Sequence, residues 1–105
     1  MIMEIGRLVY DVEVKEVGEE KKKVINNRIA INVGKNKTTY IDIIAWNGVA
    51  DLIGRTYKKG YEICVVGNLI NTKKKTTKDG VEFEYDTVAL LIDHIVFTNG
   101  NPKEQ

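Results

Sequence analysis

The sequence has few of the residues on which catalytic and metal sites depend. Its 105 residues include no serine, a single cysteine (Cys64), a single histidine (His94) and no Gly-x-x-x-x-Gly-Lys loop. A serine nucleophile, an internal disulfide, a Cys/His metal cluster and a P-loop are therefore excluded. Both Cys64 and His94 lie among branched apolar residues, so we expect structural roles for them. We expect no enzymatic activity, no bound metal and no cofactor.

Proline and long apolar runs are also scarce. The chain has one proline, and no apolar run approaches the roughly 20 residues that span a membrane. The first four residues carry no basic or apolar signal region, and a hydrophobic content of 43% is too high for a disordered chain. A chain of this length closes one hydrophobic core. The sequence predicts one globular domain without a membrane partner, and the lone cysteine favours a reducing, cytoplasmic location.

Charge is distributed unevenly along the chain, although the formal net charge is only +1. Residues 21–78 hold thirteen basic and three acidic residues, residues 1–20 hold two and six, and residues 79–105 hold one and six. A basic middle segment is typical of a surface that neutralises phosphates and releases their counterions. The alternative is that these lysines only solvate loops.

The order of the predicted elements indicates a small barrel. Alternating apolar and β-branched residues predict strands over residues 5–17, 24–33, 38–46, 61–72 and 81–97. Apolar spacings of three and four after Asn47-Gly48 predict one short helix, with Gly60 at its C-terminal end. The predicted fold is all-β: a five-stranded Greek-key OB-fold barrel with the helix between strands three and four. We expect this domain to span residues 1–98, with a short frayed tail over 99–105.

The third predicted strand carries two aromatic side chains away from the core. Alternation along a strand directs Ile41, Ile43 and Ala45 to the core face and Tyr40 and Trp46 to the outside. Aromatic side chains exposed within a basic segment can stack on unpaired bases. The alternative is that both rings cap an edge of the core or line a subunit contact.

The predicted turn between strands four and five is rich in lysine. Long cationic side chains on a protruding hairpin can follow a flexible phosphate backbone, and four of them occur here: Lys73, Lys74, Lys75 and Lys78. Glu82, Glu84 and Asp86 follow at once, so we expect only the tip to contact nucleic acid. The alternative is a solvated turn that opposes aggregation.

The fourth predicted strand has apolar residues on both faces. We expect Ile63, Val65 and Leu69 in the core, which places an apolar row on the opposite face. A small barrel does not leave such a row in solvent, so we expect an oligomer interface there. The alternative is that a loop or the C-terminal residues cover it. The predicted interface residues are Cys64, Val66, Asn68 and Ile70.

Nearly the whole chain resembles the bacterial-type single-stranded DNA-binding proteins. The resemblance lies in the order and spacing of Ile5-Gly6-Arg7-Leu8, Asp11-Val12-Glu13, Thr39 to Trp46, Lys58-Lys59-Gly60, Val65 to Leu69 and Thr87-Val88. It implies an OB-fold subunit that forms a homotetramer, a dimer of dimers, and binds single-stranded DNA without sequence preference. By motif position, Tyr40 and Trp46 match the stacking aromatics. The predicted DNA-binding residues are Arg7, Arg28, Lys35, Lys37, Tyr40, Trp46, Lys73, Lys74, Lys75, Lys78 and Phe83.

The chain departs from the family pattern at three places. Val12 stands where the family usually has proline. The hairpin at Gly34–Lys37 is shorter than the family's and lacks its frequent aromatic residue, so we expect one stacking residue fewer and a weaker or smaller binding site. The long linker and acidic C-terminal tip usual in the family do not follow residue 105, which is expected either of a short form, as found on mobile elements and phages, or of a piece of a longer protein. The resemblance implies protection of single-stranded DNA in replication, recombination or repair, with proteins of those processes as further partners. The alternative is a primosome-like OB protein that acts mainly through protein contacts.

Overall fold

Six strands and one helix follow one another along the chain in a computed structural model that describes residues 1–101. The elements are β1 (Ile2–Leu8), β2 (Lys15–Val17), β3 (Lys22–Gly34), β4 (Lys37–Trp46), α1 (Asn47–Thr56), β5 (Glu62–Lys78) and β6 (Val81–Val96). The helix lies between the third and fourth of the predicted strands, as expected. Within residues 1–101, no helix is long and apolar enough to cross a membrane.

Five of the strands close into a barrel. β1 pairs with β5, β5 with β6, β6 in parallel with β4, β4 with β3, and β3 again with β1, while β2 only extends the edge of β3. A Cβ on Gly6 would lie 2.7 Å from the carbonyl oxygen of Ala30, so glycine is what allows β1 to approach β3 at the closure. The predicted OB-fold barrel is confirmed.

The barrel interior is filled by branched aliphatic side chains and is covered at one end by the helix. Ile43 and Ala45 are buried, as the alternation of β4 predicts, and α1 adds Ala50 and Ile53. Leu69 was predicted in the core but is 53% exposed. It shares a face with buried Leu90, yet β1 begins opposite Gly67, so no β1 residue lies beside it.

The predicted first strand is interrupted. β1 ends at Leu8, and the chain rejoins the sheet only at β2. The buried Asn27 side chain accepts a hydrogen bond from the Tyr10 N–H (3.2 Å) and donates one to the Tyr10 carbonyl (3.1 Å). Because these side-chain bonds occupy both polar groups of the Tyr10 backbone, the chain leaves the ladder at this point.

The helix ends earlier than predicted. Its last residue is Thr56, and Tyr57 follows in an extended conformation with its side chain buried. Gly60 has φ +85° as expected of a left-handed position, but it belongs to the turn before β5, where its N–H donates to the Leu8 carbonyl (2.8 Å). The helix ends without a glycine cap: the Tyr57 N–H donates to the Ile53 carbonyl at 2.9 Å.

Beyond the barrel, β5 and β6 continue as a two-stranded arm. Register runs without a break from Asn71 opposite Val88 to Lys78 opposite Val81. Asp79 and Gly80 both have positive φ, which is the pattern of a tight two-residue hairpin turn.

Only the first residues of the predicted tail lie among the described residues. The Asn101 side chain there accepts from the Glu62 N–H and donates to the Glu62 carbonyl, both at 2.6 Å. Residues 102–105 lie outside the described part of the chain, so the predicted extent of the tail stays a prediction.

Candidate nucleic-acid interface

The outer face of β3 and β4 presents aromatic and cationic side chains in neighbouring rows. Tyr40 is in register with Ala30, and Ala30 is also in register with Arg7 of β1. The next row pairs Asp42 with Arg28. Tyr40 is 56% exposed, and only a methyl group stands directly across the strand from it. Its ring is therefore available to a planar ligand.

A carboxylate holds two cations together at the centre of this face. Arg28 Nε donates to Asp42 Oδ1 at 2.8 Å, and Lys74 Nζ donates to Asp42 Oδ2 at 2.5 Å. Burial alone raises the pKa of Asp42, but the hydrogen bonds from Lys74 and Arg28 outweigh it, so the pKa lies below its usual value. The hydrogen bond between Arg28 and Asp42 also raises the pKa of the Arg28 guanidinium. Asp42 and Arg28 are therefore charged at neutral pH. The hydrogen bond from Lys74 to Asp42 ties the arm to the barrel.

A groove of about 370 Å³ lies around this triad. It is lined by Arg28, Asp42 and Lys74 and also by Tyr10, whose backbone the buried Asn27 holds in place. The side-chain oxygen of Asn27, Oδ1, accepts a further hydrogen bond from the Arg28 N–H (2.7 Å). One buried amide therefore positions both an exposed aromatic and the strand that carries the arginine.

One face of the arm continues the groove. Lys74 is in register with Tyr85, and Thr76 with Phe83, so these four side chains share the face from which Lys74 reaches Asp42. Tyr85 and Phe83 are about half exposed. We call the combined surface of Tyr10, Tyr40, Trp46, Phe83 and Tyr85, with the cations between them, the aromatic face.

The opposite face of the arm is a ladder of ion pairs. Lys73 Nζ lies 3.5 Å from Glu84 Oε1, and Lys75 Nζ lies 3.8 Å from Glu82 Oε1. Glu82 and Glu84 therefore lie on the face of the arm opposite to Phe83 and Tyr85. Their negative charge does not oppose a polyanion on the aromatic face.

The structure brings together some of the predicted DNA-binding residues and separates others. Those on the outer face of the barrel are Arg7, Arg28, Tyr40 and Trp46. Those on the groove side of the arm are Lys74, Lys78 and Phe83. Lys73 also lines the groove, although its Nζ pairs with Glu84 on the opposite side of the arm. Those elsewhere are Lys75 on that opposite side, and Lys35 and Lys37 at the β3–β4 hairpin. Their role in binding stays a prediction.

Sequence reasoning missed three residues of this surface. Tyr85 follows Phe83 at a spacing of two, and that spacing was the signal that both rings share a face. Tyr10 lies within an alternation of apolar residues that predicts one long strand, so no local pattern indicates that it lines the groove. Asp42 lies on the outer face of β4 by the same alternation as Tyr40, but its two partners are 14 and 32 residues away along the chain, and no local pattern indicates them.

The predicted interface residues lie on a different part of the outer face. Cys64 stands between Ile5 of β1 and Val96 of β6, and both of these neighbours are nearly half exposed. Val66 likewise stands between Met3, 61% exposed, and His94. These residues form what we call the apolar patch: Met3, Ile5, Cys64, Val66 and Val96.

The other two predicted interface residues lie beyond the apolar patch. Asn68 is exposed, and Ile70 is half-buried in the row of Asp42, nearer the groove. Cys64 is buried, and that burial, followed by the charge of Glu62, raises the pKa of its thiol. The thiol is therefore protonated at neutral pH and packs as a small apolar side chain.

The OB barrel is a fold that binds oligonucleotides and oligosaccharides, and the aromatic face adds exposed rings and cations of the kind that single-strand binders use. The sequence profile described as the single-strand binding protein family matches residues 1–97. Single-stranded DNA-binding protein 1 of Clostridium acetobutylicum is 30% identical over an alignment of 74 residues, covering 65% of this chain and 67% of that protein. The chain belongs to the single-strand binding protein family, whose members bind single-stranded DNA and are not enzymes.

Proposed function

We propose that this protein binds and protects single-stranded DNA without sequence preference during replication, recombination or repair, and that it does so without catalysing a reaction. The observation that carries the proposal is the aromatic face, where exposed rings and cations share one surface of the barrel and arm. Every base has a π-face, so stacking on Tyr40 or Tyr85 tolerates any sequence. The predicted cytoplasmic location accords with this role, since bacterial DNA is handled there.

In this proposal the binding free energy comes from base stacking and from phosphate contacts. Bases unstack from one another and stack on the rings, at about 1–3 kcal/mol for each base. Phosphates pass near Arg28, Lys74 and Lys78 and release counterions, which makes the affinity fall with salt. A duplex offers the phosphates but hides the faces of its bases. Single strands are therefore preferred to duplex.

Trp46 supplies the signal for a direct test, because it is the only tryptophan and is 39% exposed on the aromatic face. Its fluorescence is followed during titration with oligo-dT, oligo-U and a duplex of equal length, at two salt concentrations. Saturable quenching by oligo-dT that weakens with salt, with much weaker binding of duplex, supports the proposal. Equal affinity for duplex, or an affinity independent of salt, contradicts it.

We further propose that two subunits pair through the apolar patch and that two such pairs form a homotetramer, a dimer of dimers. Met3, Ile5 and Val96 present apolar atoms on one side of the barrel, around the buried Cys64 and Val66. Burying such a surface against a second copy is favourable at about 25 cal/mol for each Å² of apolar area. Sedimentation at micromolar concentration tests assembly: a mass near 11.9 kDa contradicts it.

Two single variants locate the contact. Ile5→Asp should dissociate the oligomer while the barrel stays folded, because Ile5 is half exposed. Ile70→Asp tests whether the contact extends to the groove end of β5, where Ile70 is half-buried. Unchanged mass for both variants places the contact elsewhere.

The second candidate function is the primosome-like one, in which protein contact comes first. The apolar patch favours it, because the same surface could receive a replication or recombination protein instead of a second copy. The fluorescence titration separates the two functions. Binding of oligo-dT at micromolar or weaker affinity by a monomeric protein would favour the protein-contact function.

A further inference from the structure

Asp42 is an anion placed at the centre of a surface that is proposed to bind a polyanion. It lies on β4 two residues from Tyr40, on the same outer face, and lines the groove. Its side chain is only 19% exposed, because Arg28 and Lys74 cover it. The two cations nearest the centre of the groove are therefore already paired within the protein.

These pairs compete with phosphate for the same donors. Arg28 Nε and Lys74 Nζ each donate to a different oxygen of Asp42. The carboxylate is fixed to the middle of a barrel strand, whereas the two cationic side chains are long and are 37% and 42% exposed. An incoming phosphate can draw either head away from the carboxylate, but it must replace an existing charge-assisted hydrogen bond to do so.

From this geometry we infer that Asp42 sets the affinity of the groove by acting as an internal substitute for a nucleic-acid phosphate. It holds Arg28 and Lys74 ordered between binding events and subtracts one charge from the groove. Nucleic acid consequently binds more weakly and leaves more readily than it would from the same groove without the carboxylate. This inference rests on the proposed function, since it concerns the same surface.

The variant that tests it is Asp42→Asn, which keeps the size of the side chain and removes its charge. One additional net cation in the groove steepens the slope of log affinity against log salt by about 0.7 for a single strand. If the variant and the wild type bind equally at about 1 M salt, the variant binds about fivefold more tightly at 0.1 M. Anisotropy of a labelled oligo-dT measures both quantities.

Asp51→Asn is the matched control. Asp51 on α1 also contacts two cations, Lys23 Nζ at 3.1 Å and Arg55 Nε at 3.4 Å, but it lies outside the groove. The change in net charge is the same in both variants. Tighter binding confined to the Asp42 variant supports the inference, and an equal gain in both would reduce it to a general effect of net charge and overturn it.

The outcomes separate this inference from the proposed function. If the wild-type protein fails to bind oligo-dT, the proposed function is wrong. If the wild type binds and the folded Asp42→Asn variant binds equally or more weakly, only the inference is wrong. Asp42→Thr, with a residue that favours strands, is measured in parallel so that a folding defect of one variant does not decide the outcome. The same gain is expected of it.

Discussion

Truncation of Tyr40 is the most informative single change on the aromatic face. Its ring is 56% exposed and stands directly across from Ala30, so little packing is lost when the ring is removed. Loss of one stacked base costs about 1–3 kcal/mol of binding free energy. At 1.4 kcal/mol for each factor of ten, Tyr40→Ala should weaken oligo-dT binding by about fivefold to 150-fold.

The assay is fluorescence anisotropy of a labelled oligo-dT at about 0.1 M salt, where the Debye length of about 10 Å leaves phosphate contacts intact. Tyr40→Phe is the matched control, because it keeps the ring and loses only the hydroxyl group, and it should bind within about twofold of wild type. Thermal unfolding checks that both variants are folded. A folded Tyr40→Ala variant with wild-type affinity would refute stacking on this residue.

Three further predictions concern the support of the aromatic face. Asn27→Ala removes the bonds that hold Tyr10 and should lower the free energy of unfolding by about 1–3 kcal/mol in denaturant titrations; an unchanged midpoint contradicts this. Lys78→Ala should reduce the salt slope by about 0.7, whereas Lys75→Ala, on the ion-paired side of the arm, should reduce it less; equal changes contradict the division of faces. Asp42 has a lowered pKa in the folded protein, so its contribution to stability is present above the unfolded pKa of about 3.9 and lost as pH falls further. The difference in melting temperature between wild type and Asp42→Asn should therefore shrink from pH 5 towards pH 2, and a constant difference contradicts the pairing.

The sequence was sufficient for features that depend on local pattern. Alternation of apolar and polar residues placed Ile43 inside and Tyr40 outside, and Asp79-Gly80 marked the turn of the arm. Both signals are local because strand geometry repeats every two residues and a tight turn needs positive φ at fixed positions. The five strands, the helix and their order followed from such signals.

Features that depend on distant contacts could not be read from the sequence. The break after β1 depends on a side-chain amide 17 residues away, and the pairing of Asp42 depends on strands that meet only in the closed barrel. The exposure of Leu69 depends on where β1 begins, two residues short of covering it. Local alternation carries no information about which strand lies beside a given residue.

Photo-crosslinking most directly tests the claim that single-stranded DNA crosses the aromatic face. The chain has five tyrosines, two phenylalanines and one tryptophan, of which Tyr10, Tyr40, Trp46, Phe83 and Tyr85 lie on this face and Tyr57, Tyr61 and Phe97 lie elsewhere. Oligo-dT carrying 5-iodouracil is irradiated with the protein, and the modified peptides are identified by mass spectrometry. The account predicts crosslinks to the first group, with Tyr40 and Tyr85 foremost. Crosslinks concentrated at Tyr61 or Phe97 would contradict it.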